Sequence, residues 1–118
     1  MANVILPVPP SVARRILCGE QHALVRRFMP ARLDSGDRIK LYSDKKLLGS
    51  CLVRGVGSPE GCNLWAISTA ACMNANDLLG YWHGGKRPGY IVIGDVFQYD
   101  PPRRWMGQPL QNFIYELD

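Results

Sequence analysis

The sequence holds no Cys-x-x-Cys pair, and its two histidines, His22 and His83, stand far apart. A structural zinc site needs four converging ligands, usually as two close pairs, so cysteines at 18, 51, 62 and 72 argue against one. No metal and no other cofactor is expected. Nor is there a Gly-x-Ser-x-Gly elbow, a phosphate-cradling Walker loop or a His-Glu-x-x-His pair. The glycine pairs Gly55-Val56-Gly57 and Gly84-Gly85 match turns instead. No apolar run approaches the roughly 18–20 residues needed to cross a bilayer, which excludes a membrane-spanning helix. The amino end, Met1 to Pro7, lacks a basic leader and breaks on proline too early for a signal peptide. Two disulfides are arithmetically possible in three connectivities, but without a secretion signal the expectation is reduced, structural thiols in the cytoplasm. Within Leu48-Gly49-Ser50-Cys51-Leu52-Val53, Cys51 reads as a small core residue.

What is present is a chain of 118 residues, 47% hydrophobic and 20% charged, with three Trp and five Tyr. That length suits one complete domain, residues 1–118, and the apolar content excludes a disordered tail. The net charge of +4 is unevenly spread: residues 1–59 carry ten basic and four acidic side chains, residues 60–118 four and six. The first half is therefore +6 and the second −2. If the fold gathers the ten cations, they form a surface that attracts phosphate; if it scatters them, they only solvate the protein.

Val4 to Val8 reads as a strand ended by proline, and Pro9-Pro10-Ser11 opens a helix, because the missing proline N–H costs nothing in a first turn. Val12, Ala13, Ile16 and Leu17 give that helix one apolar stripe to about residue 18, with Gly19 as its left-handed stop. His22 to Met29 is β-like, with Arg26 and Arg27 on opposite faces, and Pro30 closes it. A turn at residues 33–37 leads to Arg38-Ile39-Lys40-Leu41-Tyr42, whose alternation puts Ile39 and Leu41 inward and Lys40 and Tyr42 on the other face. Residues 47–56 form a strand apolar on both sides, hence central. Short helices follow at 64–72 and from a cap at Asn74, with Leu78, Leu79 and Trp82 as the buried face. Tyr90 to Tyr99 is a long strand, bulged at Gly94-Asp95 and ended by Pro101-Pro102, and residues 113–117 make a last one. Strands with helices inserted at two points imply a curled mixed sheet or small barrel.

The run from Pro9-Pro10-Ser11-Val12 through Gly19 to Arg26-Arg27, then Gly36-Asp37 into Ile39-Lys40-Leu41-Tyr42, resembles the opening of ASCH domains. Ser58-Pro59, Leu64-Trp65, Leu78 to Trp82, Gly84 and Tyr90 to Val96 continue the likeness over nearly the whole chain. The resemblance implies an α+β fold, a small PUA-like mixed β-barrel with helices inserted after strand 1 and between the central strands. It also implies a cleft between strands and helices, and binding of RNA or nucleotides; a few such domains are hydrolases or ribonucleases. Their signature, approximately Gly-x-Lys-x-x-Glu/Thr-x-Arg, reads here Gly19, Gln21, Leu24 and Arg26. Glycine and arginine are kept, while the lysine and the acidic or hydroxyl position are replaced. Gln21 cannot move a proton near neutral pH and Leu24 offers no nucleophile, so no catalytic residue is assigned. His22, alone beside these positions, reads as a surface residue.

The expected function is a nucleic-acid-binding module, for RNA or single strands, of prokaryotic or phage origin. Arg26 takes a phosphate or base edge through its forked guanidinium. Lys40 and Tyr42 place a charge beside a stacking ring, as single-strand recognition requires. Lys86 and Arg87 sit on a loop able to close over the same cleft, and Arg15 and Arg27 belong to the same basic stretch. The rivals are a hydrolase of a modified nucleoside or RNA with a rearranged site, and a protein-interaction or inhibitory module, possibly phage-borne in origin, that docks an acidic partner.

Overall fold

The structure, a computed structural model, describes residues 3–116. Nine elements follow one another: β1 (Asn3–Pro7), α1 (Pro10–Leu17), β2 (Ala23–Arg26), β3 (Arg38–Ser43), β4 (Lys46–Gly57), α2 (Leu64–Ala70), α3 (Ala75–Trp82), β5 (Gly89–Arg104) and β6 (Ile114–Glu116). The six strands lie in one mixed sheet, ordered β2-β5-β4-β3-β1-β6, curled into a half-barrel. β1 pairs parallel with β3, and a parallel pair needs a long crossover. The stretch holding α1 and β2 supplies it. Helices thus enter after β1 and between the neighbouring strands β4 and β5, which is the expected α+β arrangement.

Alternation along the strands distributes side chains between separate cores. Val4, Leu6, Leu24, Ile39, Leu41, Cys51, Val53, Ile91 and Ile93 join Ala13 and Ile16 of α1 in the main core. The intervening Val25, Tyr90 and Val92 turn the other way and pack on Ile67, Leu78 and Trp82 of the helical insert. β2 and β5 are therefore sandwiched, with α1 on one side and the insert on the other. On the remaining face, Ile5, Tyr42, Leu47 and Tyr99 are covered by Trp105 and Leu110 of the segment that returns from β5 to β6.

Local signals act as expected at most ends. Gly19 takes φ +86 after α1, a backbone state open to glycine at little cost. The Asn74 side-chain oxygen accepts from the Asp77 N–H at 2.8 Å, capping α3, and its Nδ2 donates to the Asp77 carboxylate at 2.9 Å, which holds the cap in place. Trp82 buries its ring and donates Nε1–H to the Gly89 carbonyl at 3.0 Å, so its one polar atom is satisfied.

Two boundaries differ most from expectation. β2 ends at Arg26, and beyond it only an isolated bridge joins Phe28 to Arg87. β5 does not stop at Pro101-Pro102 but runs to Arg104. Its pairing with β4 jumps from Gly49 opposite Gln98 to Leu47 opposite Arg103, so the prolines sit in a looped-out stretch where no ladder N–H is needed. A smaller shift brings the expected bulge at Asp95, with φ 45. The expected last strand reached Leu117, which lies outside the described residues.

Candidate functional site

A cleft of about 210 Å³ opens where the β1–α1 connection, β2 and the helical insert meet. Val8, Pro9 and Val12 line it from the β1–α1 connection and α1, Leu24 and Val25 from β2, and Ala71, Met73 and Tyr81 from the insert. Its polar groups are Arg15, Gln21, Arg26 and the Tyr81 hydroxyl. The volume falls below the roughly 300–1,000 Å³ of typical small-molecule pockets, so a single flat ring fits and a polymer must continue outside. The structure thus brings together three of the four signature positions, Gln21, Leu24 and Arg26.

Gln21 is only 4% exposed, and both ends of its amide are used. Nε2 donates to the Ala23 carbonyl at 2.8 Å, and Oε1 accepts from Arg15 Nε at 3.1 Å. An amide serves here where an ammonium would confront the Arg15 guanidinium. Leu24 is spent in the main core. Among the described residues the cleft lining contains no Lys, His, carboxylate, thiol or aliphatic hydroxyl.

Arg26 is half-buried at the cleft mouth. Its Nε donates to the Phe28 carbonyl at 3.0 Å and its Nη2 to Asn112 Oδ1 at 2.8 Å, while the guanidinium lies 5.4 Å from the Phe113 ring centre. Burial lowers its pKa, with the nearby Tyr81 acting in the opposite direction. The guanidinium has lost hydration without gaining a carboxylate. No partner for Nη1 is found among the described residues.

The neighbouring rings form a seam between β2 and β6 that no main-chain ladder closes. Phe28 and Phe113 stack at 5.8 Å, and Phe113 meets Tyr115 edge-on at 5.9 Å. Arg87 lies over Phe28 at 4.6 Å and Arg32 over Tyr115 at 4.5 Å. The Tyr115 hydroxyl also accepts from the Arg32 backbone N–H at 2.8 Å.

Tyr42, Lys40 and Arg87 meet partners that the sequence did not suggest. Tyr42 is 5% exposed, edge-on to Trp105 at 6.0 Å, with its hydroxyl accepting from the Leu110 N–H. The returning segment covers the ring, so it cannot stack on a base. Lys40 shares its face but forms an ion pair with Glu116 at 2.7 Å. Arg87 donates Nε–H to the Met29 carbonyl at 2.8 Å, with Nη2 on the same oxygen, and holds its loop to the strand end rather than closing over the cleft. Lys86 and Arg27 line a second, open hollow of about 450 Å³ with Phe28, Gly84, Gly85 and Asn112. Arg15 does line the cleft, bound to Gln21. His22 is exposed and outside the cleft lining.

The basic half is therefore divided. Arg54 is paired with Asp95 at 2.9 Å, Arg14 faces a different hollow beyond α1, and Lys46 lies at the far hairpin opposite Arg104. Of the ten, Arg15 and Arg26 line the cleft and Arg27 the second hollow, where Lys86 of the other half joins it. Sequence reasoning missed Tyr81 and Asn112. For Tyr81 a signal existed, since it adjoins Trp82 at the edge of the buried stripe of α3. For Asn112, 86 positions from Arg26, none did.

No sequence profile of a protein family matches this chain, and no curated protein matches it in sequence. Solved structures do match in shape. The ASCH protein of Zymomonas mobilis superposes with a TM-score of 0.79 at 18% identity, over 98% of this chain and 87% of that one. Two single-substitution variants of it give TM-scores of 0.80 at 17% and 16% identity, again over 98% of this chain, and 88% and 90% of theirs. A half-barrel of these six strands, with helices inserted at these two points, is the ASCH-domain fold, and this chain has it.

Proposed function

We propose that the 118-residue chain is a single nucleic-acid-binding module for RNA or single strands, acting in the cytoplasm without hydrolysis. The observation that carries this reading is Arg26: a desolvated guanidinium at the mouth of an apolar cleft, with no anion in the lining. Such a cation gains most from a phosphate or base edge that completes its fork. Arg15 and Tyr81 widen the polar side of the same cleft, while its apolar walls suit an unpaired base. The hydrolase reading has less support, because the lining offers no Lys, His, carboxylate, thiol or aliphatic hydroxyl, and the Tyr81 hydroxyl has none of these beside it as a partner. Four free cysteines accord with a reducing compartment.

The test is titration of fluorescent single-stranded RNA and DNA at two salt concentrations, with the native chain and with Arg26→Ala. Binding that weakens with salt, and weakens about tenfold or more on losing this charge-assisted contact, is expected. Absence of binding at low salt, or binding indifferent to both salt and Arg26, refutes the proposal.

A further inference from the structure

The geometry points to the Arg27–Lys86 hollow as a phosphate subsite, so that the cleft's ligand is an oligonucleotide wrapped around the β2 edge rather than a free nucleoside. This inference rests on the nucleic-acid reading of the cleft and adds a second contact point to it.

Arg26 and Arg27 are consecutive at the end of β2, yet Arg26 lines the cleft and Arg27 the second hollow. In a central strand such a pair could not serve one ligand. β2, however, is the first strand of the sheet, with no further strand paired along its outer edge among the described residues. A flexible chain can pass around that edge and meet both cations. The two hollows are also joined: Arg26 lines the cleft, and the Asn112 that accepts from its Nη2 lines the second hollow.

The second hollow has the chemistry of a phosphate site. Its lining holds two cations, Arg27 and Lys86, and no carboxylate. Among the described residues the Lys86 side chain has no ion-pair or hydrogen-bond partner, and the Arg27 guanidinium makes only a long contact, 3.4 Å, to the His83 carbonyl. The floor is Gly84-Gly85. Gly84 takes φ +77, and a β-carbon on Gly85 would come within 2.8 Å of the Arg27 carbonyl oxygen, so the loop lies close against the strand. Phe28 completes the lining with a partly exposed ring, already bearing Arg87 on one face. Arg87 holds the loop by its bonds to Met29, which fixes where Lys86 emerges. Two unpaired cations beside glycine backbone and a ring suit a phosphodiester with its sugar, and a small neutral nucleoside would leave them unused.

The experiment uses the full chain and a labelled eight-nucleotide single-stranded RNA, followed by anisotropy across a salt series. Arg27→Gln and Lys86→Gln, singly and together, are compared with Arg104→Gln, an exposed cation at the far hairpin. Each subsite variant should weaken binding about 3- to 10-fold and reduce the slope of log affinity against log salt by about 0.7 per charge removed. Arg104→Gln should leave both nearly unchanged. In competition, a dinucleotide should displace the RNA at least tenfold better than the matching nucleoside, and inorganic phosphate should weaken the native chain more than the double variant. If the RNA binds but the subsite variants keep native affinity and slope, or lose no more than Arg104→Gln, the subsite is overturned while the cleft reading stands. If the native chain binds no RNA at low salt, both are overturned. Thermal unfolding of each variant separates lost contacts from lost fold.

Discussion

Restoring the signature lysine by Gln21→Lys should damage this protein rather than improve it. Gln21 is buried and accepts the Arg15 Nε–H at 3.1 Å while donating to Ala23. An ammonium cannot accept, so the Arg15 bond is lost, at about 1.5–3 kcal/mol for a hydrogen bond to a charged group. The new charge also faces a guanidinium at short range. Two like charges 4 Å apart cost ~4 kcal/mol at an effective dielectric constant of 20, before either side chain moves away. Allowing for that movement, a net loss of about 3 kcal/mol at pH 7 is expected, equivalent to roughly 10 °C in melting temperature for a chain of this size. The loss should depend on pH. Burial and Arg15 depress the introduced amine below its unfolded value near 10.4, so the unfolded chain binds more protons and the difference from the native protein shrinks as pH rises towards ~10. Urea denaturation of both proteins at pH 7 and pH 9.5 measures this, and Arg15→Gln in the same background should recover about 2 kcal/mol or more. Equal stability of Gln21→Lys and the native chain at pH 7, or a penalty that Arg15→Gln leaves untouched, refutes the account of this corner.

Other consequences are as direct. Burial pushes the Cys51 thiol from about 9.0 up to about 12, so it should resist alkylation at pH 8 in the native protein, while exposed Cys18 and Cys72 react; mass spectrometry of labelled peptides checks this. Because the folded thiol holds its proton longer than the unfolded one, this group takes stability away as pH rises above about 9, visible as a falling urea midpoint that Cys51→Ala flattens. Gly49→Ala should cost about 1–3 kcal/mol, since its methyl runs into the Phe97 carbonyl oxygen and comes within 2.8 Å of Leu17 Cδ2. Asn112→Ala frees Arg26 Nη2 and should weaken RNA binding severalfold with little change in melting temperature; unaltered affinity means that Asn112 does not orient Arg26.

Much of this fold is readable in local pattern, because period-2 and period-3.6 burial, caps and glycine stops act within a few residues. Ile39 and Leu41 point inward and Asn74 caps α3, both from spacing along short segments, whereas the grouping of Gln21, Leu24 and Arg26 comes from the resemblance to ASCH domains. The misplacements share a different cause. Tyr42 is covered by a segment more than sixty positions away, Lys40 meets Glu116 across 76 positions, and Arg87 reaches Met29 across 58. Polar alternation shows that a side chain leaves the main core, but not what a distant stretch then lays over it. The prolines of β5 misled for a related reason: a proline ends a paired strand, whereas the looped-out part of this one requires no N–H.

The arginine–aromatic seam bears on how the molecule meets copies of itself. A sheet with two outer strands offers two templates for further strands, the usual route to edge-to-edge aggregation. Here both outer strands are very short, β2 with four residues and β6 with three. Arg26, Arg32 and Arg87 plate the rings between them with positive charge. A second copy approaching either margin meets cations before it meets free peptide groups. The same arginines that hold the half-barrel together at its opening thus keep neighbouring molecules apart, and neutralising them should cost solubility before it costs the fold.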